Sequence, residues 1–383
     1  MSINILGVKI DKIEYSQLWN EIKDLLKGNK RIFITTPNPE ILLEAQRDEE
    51  FFYILNKADF SLADGTGLKI ASWFLGENLK IISGSDLIPG IFEIANANSC
   101  KVAIILWEKG LTSVSDLDKK LKNKFTDLDY SIFTSSKDYK NFNIEILNAY
   151  KPDILIVALG APYQEKFIYH IQNKINNLKL SIGVGGGIDF FVGTIKRSPK
   201  LFRIIGLEWL WRLIKQPWRW KRIYNAVFVF LFSFLKQKYI NKLFYRKNVV
   251  AFIYQNDEVL ILNWAEDNDY WGLPQGGVDK NESYEEALKR EIREETGIID
   301  YDIIKKINNA YKYKWPKHYY HTGYKGQKQT LFFVKYNGSK NDIKLCPYEH
   351  KDFKWVKIDS LLNQSHKVHE KAYSLFLENY KNL

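Results

Sequence analysis

Three glutamates, Glu291, Glu294 and Glu295, stand at i, i+3 and i+4 in the stretch REIREETGI. That spacing places them on one face of a helix. Carboxylates crowded there repel one another unless something positive neutralises them, and hard oxygen donors of this kind suit Mg²⁺ or Mn²⁺. A solvated acidic face is the alternative for any run of charge. The apolar side, Tyr284, Ala287, Leu288 and Ile292, is expected to be buried, with the glutamates facing outward together. In the first half of the chain Asp64 stands between Ala63 and Gly65 in ADGTG. It reads either as a general base with backbone room for a substrate beside it or as a turn-forming Asp-Gly. VGGGIDFF, residues 184–191, offers backbone amides to a phosphate, although a glycine run alone has little specificity.

These residues need scaffolds, and a chain of 383 residues is long enough for two domains. RIFITT (31–36), KVAIIL (101–106), DILIVALG (153–160) and LSIGVGG (180–186) read as buried strands. Residues 39–58 and 163–175 show helical spacing between them. Such alternation implies an α/β fold with a largely parallel sheet, whose ligands gather at the carboxyl ends of the strands. Thr36 and Asn38, Gly160 to Gln164, and Gly185 to Asp189 fall there. From Leu207 the sequence turns rich in Trp and Arg and then in Phe and Leu, and after Asn248 a new strand-rich pattern begins. The expected division is therefore 1–225, a basic and aromatic segment with linker over 226–247, and 248–383.

Gly276, five residues, Glu282, seven residues, and then Arg290 to Ile298 reproduce the pattern Gx5Ex7REUxEExGU, where U is a bulky aliphatic residue. By this match the last part of the chain resembles a Nudix hydrolase. WGLPQGGVDKNES (271–283), YKYKWPK (311–317), GQKQTLFFV (326–334) and EHKDFKWV (349–356) are similar to stretches of bacterial RNA pyrophosphohydrolases and dinucleoside polyphosphate hydrolases. The resemblance implies an α/β/α domain in which Glu291, Glu294 and Glu295 bind Mg²⁺ or Mn²⁺, with Glu349 a further ligand or the base. It makes Glu294 and Glu349 catalytic, and gives Gly276, Glu282, Arg290 and Gly297 structural roles, Glu282 and Arg290 as an ion pair. Lys314, Lys317, Lys328 and Gln329 are candidates for phosphate or base contacts, or else solvated surface residues. Asn281 occupies a position that is often glycine in this loop.

The order of motifs in the first part carries a second resemblance. TPNPEILLEAQRDEEFFYILNKADFSLADGTG (36–67), ISGSDL (82–87), GAPYQEKFI (160–168), VGGGIDFFVGTIKRSP (184–199) and GLEWLWRLIKQPWRWKR (206–222) look like the WecG/TagA/CpsF glycosyltransferase family. This implies a Rossmann-like parallel-sheet domain that moves an N-acetylmannosamine-type sugar, or its uronic acid, from a UDP-sugar donor to a polyprenyl-diphosphate-linked acceptor. No metal cofactor is expected for it. Asp64 matches the base that deprotonates the acceptor hydroxyl. Thr36 and Asn38 line that pocket, Gln164 lies near the nucleotide-sugar, and Arg212, Arg219 and Arg222 stabilise diphosphate charge. The segment VAIILWEKGLTS (102–113) departs from the glycine-rich loop that members often have there.

Charge is uneven. The net charge is +11, and residues 201–250 hold eleven Lys or Arg against the single acid Glu208. Such a segment seeks an anionic partner, a membrane or a phosphate-bearing substrate. AVFVFLFSFL (226–235) has half the roughly 20 residues a spanning helix needs. Beside Trp209, Trp211, Trp218 and Trp220 it suits an interfacial helix at an anionic membrane surface, or packing against the second domain. MSINILGVKIDKIEYSQ lacks the basic-then-apolar pattern of a signal peptide, and two distant cysteines fit a reducing compartment. The whole reads as a bifunctional enzyme, cytoplasmic and peripheral at the inner face of the cell membrane. Its hydrolase half acts on a nucleoside diphosphate-linked substrate or, as the alternative, on a dinucleoside polyphosphate or RNA 5′ end. A non-catalytic nucleotide-binding or docking role for one domain, and an oligomer, are further options.

Overall fold

Short apolar strands buried on both faces need helices on either side, and the first unit is built that way. The computed structural model describes residues 2–28, 30–196, 198–199, 202, 208–215, 217–264, 270–315 and 323–383. It falls into two units, Met1–Leu235 and Lys236–Leu383. In the first, Ser2–Ile5 (β1) and Val8–Asp11 (β2) form a hairpin. A separate six-stranded sheet holds Ile32–Thr35 (β3), Phe60–Ser61 (β4), Val102–Trp107 (β5), Tyr130–Ser135 (β6), Ile154–Ala158 (β7) and Leu180–Gly183 (β8). Its order is β4-β3-β8-β7-β5-β6, with every pair parallel. One core cluster gathers Ile34, Ile104, Ile156 and Ile182; another gathers Phe33, Ile105, Leu155 and Val157. Neighbouring residues of each strand thus serve opposite faces of the sheet.

The helical stretch 39–58 is broken in two. Pro39–Ala45 ends at Gln46, whose Nε2 donates to Leu6 O at 2.8 Å, and Asp48 Oδ1 accepts from Phe51 N at 3.0 Å to start Glu49–Lys57. A side chain that caps competes with continuing the helix. Phe230 and Phe234, on the helix Phe230–Leu235, pack into a third cluster of this unit with Leu42, Phe51 and Leu68.

The second unit contains Tyr245–Gln255 (β9), Glu258–Trp264 (β10), Trp271–Gly272 (β11), Gln275–Gly277 (β12), Tyr301–Lys314 (β13), Gly326–Tyr336 (β14) and His350–Lys357 (β15). They form one mixed sheet in the order β11-β10-β9-β14-β13, with β12 on β9 and β15 on β10. Among the described residues of this sheet, only β9 and β14 pair in parallel. Along β9 the side chains alternate. Val249, Ala251 and Ile253 pack with Ala287, Leu288 and Ile292 of the helix Tyr284–Thr296. Val250 and Phe252 pack with Ala372, Tyr373 and Phe376 of the helix Glu370–Lys381. A sheet between two helices is the α/β/α arrangement, and the whole chain is of the α/β class.

Candidate functional site

Residues leaving the carboxyl ends of β3, β4, β7 and β8 are tied into one rim in the first unit. Past the strands, Leu62 N donates to Thr35 O and Asp64 N to Pro37 O, each at 2.9 Å. The β3–β4 pairing therefore continues into the loops and holds the half-buried Asp64 against TPNP. The two glycines of ADGTG have distinct reasons. Gly65 sits at φ +87, and a Cβ on Gly67 would come within 2.6 Å of Pro39 Cγ. Thr36 is buried, and its Oγ1 lies 3.1 Å from where a Cβ on Gly84 would stand. Asn38 Oδ1 accepts from Ile41 N at 3.0 Å and so caps the helix Pro39–Ala45.

Across the rim, Gln164 Oε1 accepts from Gly160 N at 3.1 Å and Gly185 N at 2.8 Å. Its amide is only 3% exposed, so it clamps the loops after β7 and β8 together. A Cβ on Gly187 would stand 3.3 Å from Ser85 N, which packs the glycine run against the start of the helix Gly84–Ala97. Thr112 Oγ1 donates to Asp189 Oδ1 at 2.6 Å, tying the departing WEKGLTS segment to the same run. Arg222 donates to both carboxylate oxygens of Glu40, at 3.0 and 2.8 Å, beside Asn38 and Pro39. Arg212 and Arg219 lie in the helical segments Glu208–Lys215 and Pro217–Arg219. Their side chains, like Lys317, fall outside the described residues.

Sequence reasoning passed over Glu165. It is buried, accepts from Gln164 Nε2 at 2.8 Å, and its Oε2 has no hydrogen-bond partner among the described residues. Burial pushes its carboxyl up to about 7.

In the second unit the helix Tyr284–Thr296 is delimited at both ends. Ser283 and Glu286 form a reciprocal capping box, and Gly297 ends it at φ +69 with its N–H on Arg293 O. Asn281 adopts φ +73, a conformation that glycine or asparagine accepts more readily than other residues.

The three glutamates of this helix do not all face outward. Glu291 and Glu295 are 7% and 5% exposed, and only Glu294 projects into solvent. The reason is the neighbouring β12. Gly276 lacks a side chain where the Glu291 carboxylate lies, and Gln275 N donates to Glu295 Oε2 at 3.1 Å. Arg290 then knits the outer acids. Its Nε and Nη2 donate to Glu282 at 2.9 and 3.2 Å, and its Nη1 to Glu291 at 2.8 Å and Glu294 at 3.1 Å. The Arg290 guanidinium holds the Glu282 carboxyl below the usual carboxylate range.

Glu295 points toward a different neighbour. Lys344 N donates to Thr296 O and Cys346 N to Glu295 O, docking the turn that carries Glu349 and His350 onto the end of the helix. One ligand atom from each of Glu295, Glu349 and His350 lies within 4.8 Å of the other two. Burial keeps His350 below its ordinary pKa. Buried carboxylates at the foot of an acidic helix need a counter-charge, and this donor set fits a divalent cation. Of the remaining candidates, Gln329 is buried and its Nε2 donates to Gln275 Oε1 at 3.0 Å, linking it to the residue that holds Glu295. Lys328 is half-buried on β14, and Lys314 is exposed at the end of β13.

Comparison with known proteins follows the same division. The family described as Glycosyl transferase WecG/TagA/CpsF matches residues 3–243, and the NUDIX domain matches residues 244–376. An N-acetylglucosaminyldiphosphoundecaprenol N-acetyl-beta-D-mannosaminyltransferase of Bacillus subtilis (strain 168) is 32% identical over 217 residues, 56% of this chain and 83% of that protein. The enzyme of the same name from Staphylococcus aureus (strain MW2) is 29% identical over 244 residues, 62% of this chain and 93% of that one. Among solved structures, a C. elegans Ap4A hydrolase is 20% identical, covers 36% of this chain and 99% of its own, and has a TM-score of 0.29.

Proposed function

The chain belongs to the WecG/TagA/CpsF glycosyltransferase family, joined to a NUDIX domain, and from this we propose that it builds a lipid-linked disaccharide and cleaves a nucleoside diphosphate-linked substrate. It is both a glycosyltransferase and a Nudix hydrolase. For the transferase, the proposed donor is UDP-N-acetylmannosamine or its uronic acid, and the acceptor a polyprenyl-diphosphate-linked N-acetylglucosamine. The supporting observation is the placing of Asp64 on the rim that joins four strand ends.

In the proposed reaction the acceptor hydroxyl gives its proton to Asp64 while its oxygen bonds to the anomeric carbon of the donor. The bond from that carbon to the diphosphate oxygen breaks, and UDP leaves with the electron pair. Arg212, Arg219 and Arg222 stabilise the charge on the departing diphosphate. Gln164 acts by fixing the loops that receive the donor.

In the hydrolase, Glu291, Glu294, Glu295 and Glu349 are proposed to hold Mg²⁺ or Mn²⁺. An ion held by these residues would supply positive charge to the diphosphate. Glu349 would take the proton of a water whose oxygen bonds to one phosphorus, while the bond from that phosphorus to the bridging oxygen breaks and the other phosphate leaves with the electron pair. Arg290 keeps the outer carboxylates ordered, and Lys314 and Lys328 approach the phosphates.

An anionic membrane surface is the proposed site of work. Tyr224, Phe228 and Phe232 are exposed at successive i, i+4 positions, next to exposed Trp218 and Trp220, while Phe230 and Phe234 face inward. No helix among the described residues is long and apolar enough to cross a membrane. Exposed aromatic rings beside Lys and Arg suit an interfacial position instead.

The test is to incubate the full chain with UDP-N-acetylmannosamine, a polyprenyl-diphosphate N-acetylglucosamine and Mg²⁺. Disaccharide and UDP are expected, and absence of the disaccharide overturns the transferase substrates. Vesicles containing phosphatidylglycerol are expected to sediment the chain, and the triple change Tyr224→Ser, Phe228→Ser, Phe232→Ser to release it. Undiminished sedimentation of that variant contradicts the membrane reading.

A further inference from the structure

We propose that His350 is itself a ligand of the divalent ion in the hydrolase half, completing a mixed oxygen and nitrogen donor set with Glu295 and Glu349. The inference rests on the metal-dependent reading above and adds to it a residue outside the Nudix box. His350 is 4% exposed, and beyond an interaction with the main chain of Asn263 neither ring nitrogen has a well-formed hydrogen bond among the described residues. A buried imidazole ordinarily donates from one nitrogen and accepts at the other. Here Nε2 lies 3.3 Å from Glu295 Oε1, and the Glu349 carboxylate completes a group of donors within 4.8 Å of one another. Adjacent donors on an octahedral ion with bonds of about 2.1 Å stand about 3 Å apart, so a modest contraction brings the three onto one ion.

The ring is held for that purpose from two sides. Glu349 N and His350 N both donate to Cys346 O, at 3.2 and 2.9 Å, while Cys346 N reaches Glu295 O at 3.3 Å. This fixes the turn to the helix that supplies Glu295. On the other side His350 opens β15 opposite Trp264 of β10, whose ring meets the imidazole edge-on at 6.4 Å. The ring therefore has little freedom to swing away.

A nitrogen donor changes which ion the site favours. Mg²⁺ keeps to oxygen donors, whereas first-row transition ions gain more from an imidazole, Co²⁺ more than Mn²⁺ along the Irving–Williams order. His350 is accordingly assigned as the residue that shifts this hydrolase toward Mn²⁺ and Co²⁺ relative to a site made of carboxylates alone.

The experiment binds Mn²⁺ alone to the full chain and records its electron-spin-echo modulation, with no substrate present. A directly coordinated imidazole nitrogen is expected in the wild type, and histidine labelled with heavy nitrogen is expected to alter that coupling without any substitution. In His350→Gln the coupling is expected to vanish with Mn²⁺ still bound. The ratio of the Mg²⁺ to the Mn²⁺ dissociation constant is expected to fall at least about tenfold, a difference of about 1.4 kcal/mol. His350→Asn repeats the comparison where the glutamine variant does not fold. Bound Mn²⁺ without nitrogen coupling in the wild type, or coupling that survives both substitutions, overturns the assignment of His350 alone. Failure of the wild type to bind Mn²⁺ at all overturns the metal-dependent reading together with it.

Discussion

Asp64 and Glu295 are both acids beside the end of a β-sheet, but what holds them differs in kind. Asp64 is placed by main chain. Its own N–H bonds Pro37 O, the glycine after it takes a left-handed conformation, and Gly67 lets a helix touch Pro39. Glu295 is placed by the helix that carries it and by the N–H of Gln275, while side chains order the residues around it. Arg290 orders the neighbouring acids, Gln329 holds Gln275, and Gln275 N holds Glu295. A rim built from main chain suits the large donor and acceptor proposed for the transferase. A fixed set of charged side chains suits a small ion and a diphosphate.

The contrast can be broken most severely at the acids themselves. Glu295→Gln is expected to lower hydrolysis by about 10³-fold, because a carboxylate proposed to carry the ion is lost. Steady-state release of product from a nucleoside diphosphate sugar measures it, and retention of even a tenth of the activity counts against the site. Asp64→Asn is expected to lower sugar transfer by about 10²–10⁴-fold, the usual range for a general base. Its binding of UDP-sugar, followed by calorimetry, is expected to be close to normal.

The glycines sharpen the comparison. A Cβ at position 67 meets a stiff proline ring, so Gly67→Ala is expected to lower the first unit's stability by about 1–3 kcal/mol and to depress transfer. A Cβ at position 276 meets the end of a flexible side chain, Glu291. Gly276→Ala is therefore expected to weaken divalent-ion binding while leaving the melting temperature of the second unit within a few degrees of wild type. Calorimetric scans with and without Mn²⁺ distinguish the two outcomes.

A smaller effect concerns Glu165, a buried acid in the backbone-built half. Its folded pKa of about 7 lies above the unfolded carboxylate range, so between roughly pH 4.5 and 7 the folded state holds a proton that the unfolded chain has lost. Stability conferred below that window is lost as pH rises through it. Glu165→Gln is expected to flatten the dependence and to raise stability at pH 8 by about 2–3 kcal/mol. A melting temperature of the variant that still falls between pH 5 and 7, as steeply as wild type, counts against the buried charge.

Legibility in the sequence followed the same division. The acidic helix could be read from spacing because its chemistry lies within a few turns of one element, and Gly276, Glu282 and Arg290 lie at fixed distances from it. His350 escaped notice because its approach to Glu295 depends on how the Cys346 turn docks, a contact between segments about fifty residues apart. In the first half, β3, β5, β7 and β8 were visible as apolar runs, buried as they are on both sides. The edge strand β6, YSIFTS, alternates too little and carries too many hydroxyls to stand out. Gln164 and Glu165 were readable as polar residues after a strand, but not as a buried pair, since their partners Gly160 and Gly185 come from two separate loops. The outward trio of glutamates failed for a related reason. Helical periodicity shows which residues share a face, while β12 decides which of them are covered.

The most direct test of two separate reaction centres measures both activities on the same preparations of wild type, Asp64→Asn and Glu295→Gln. The account predicts that Asp64→Asn loses transfer and keeps hydrolysis within about twofold, while Glu295→Gln does the reverse. Loss of both activities in either folded variant contradicts it.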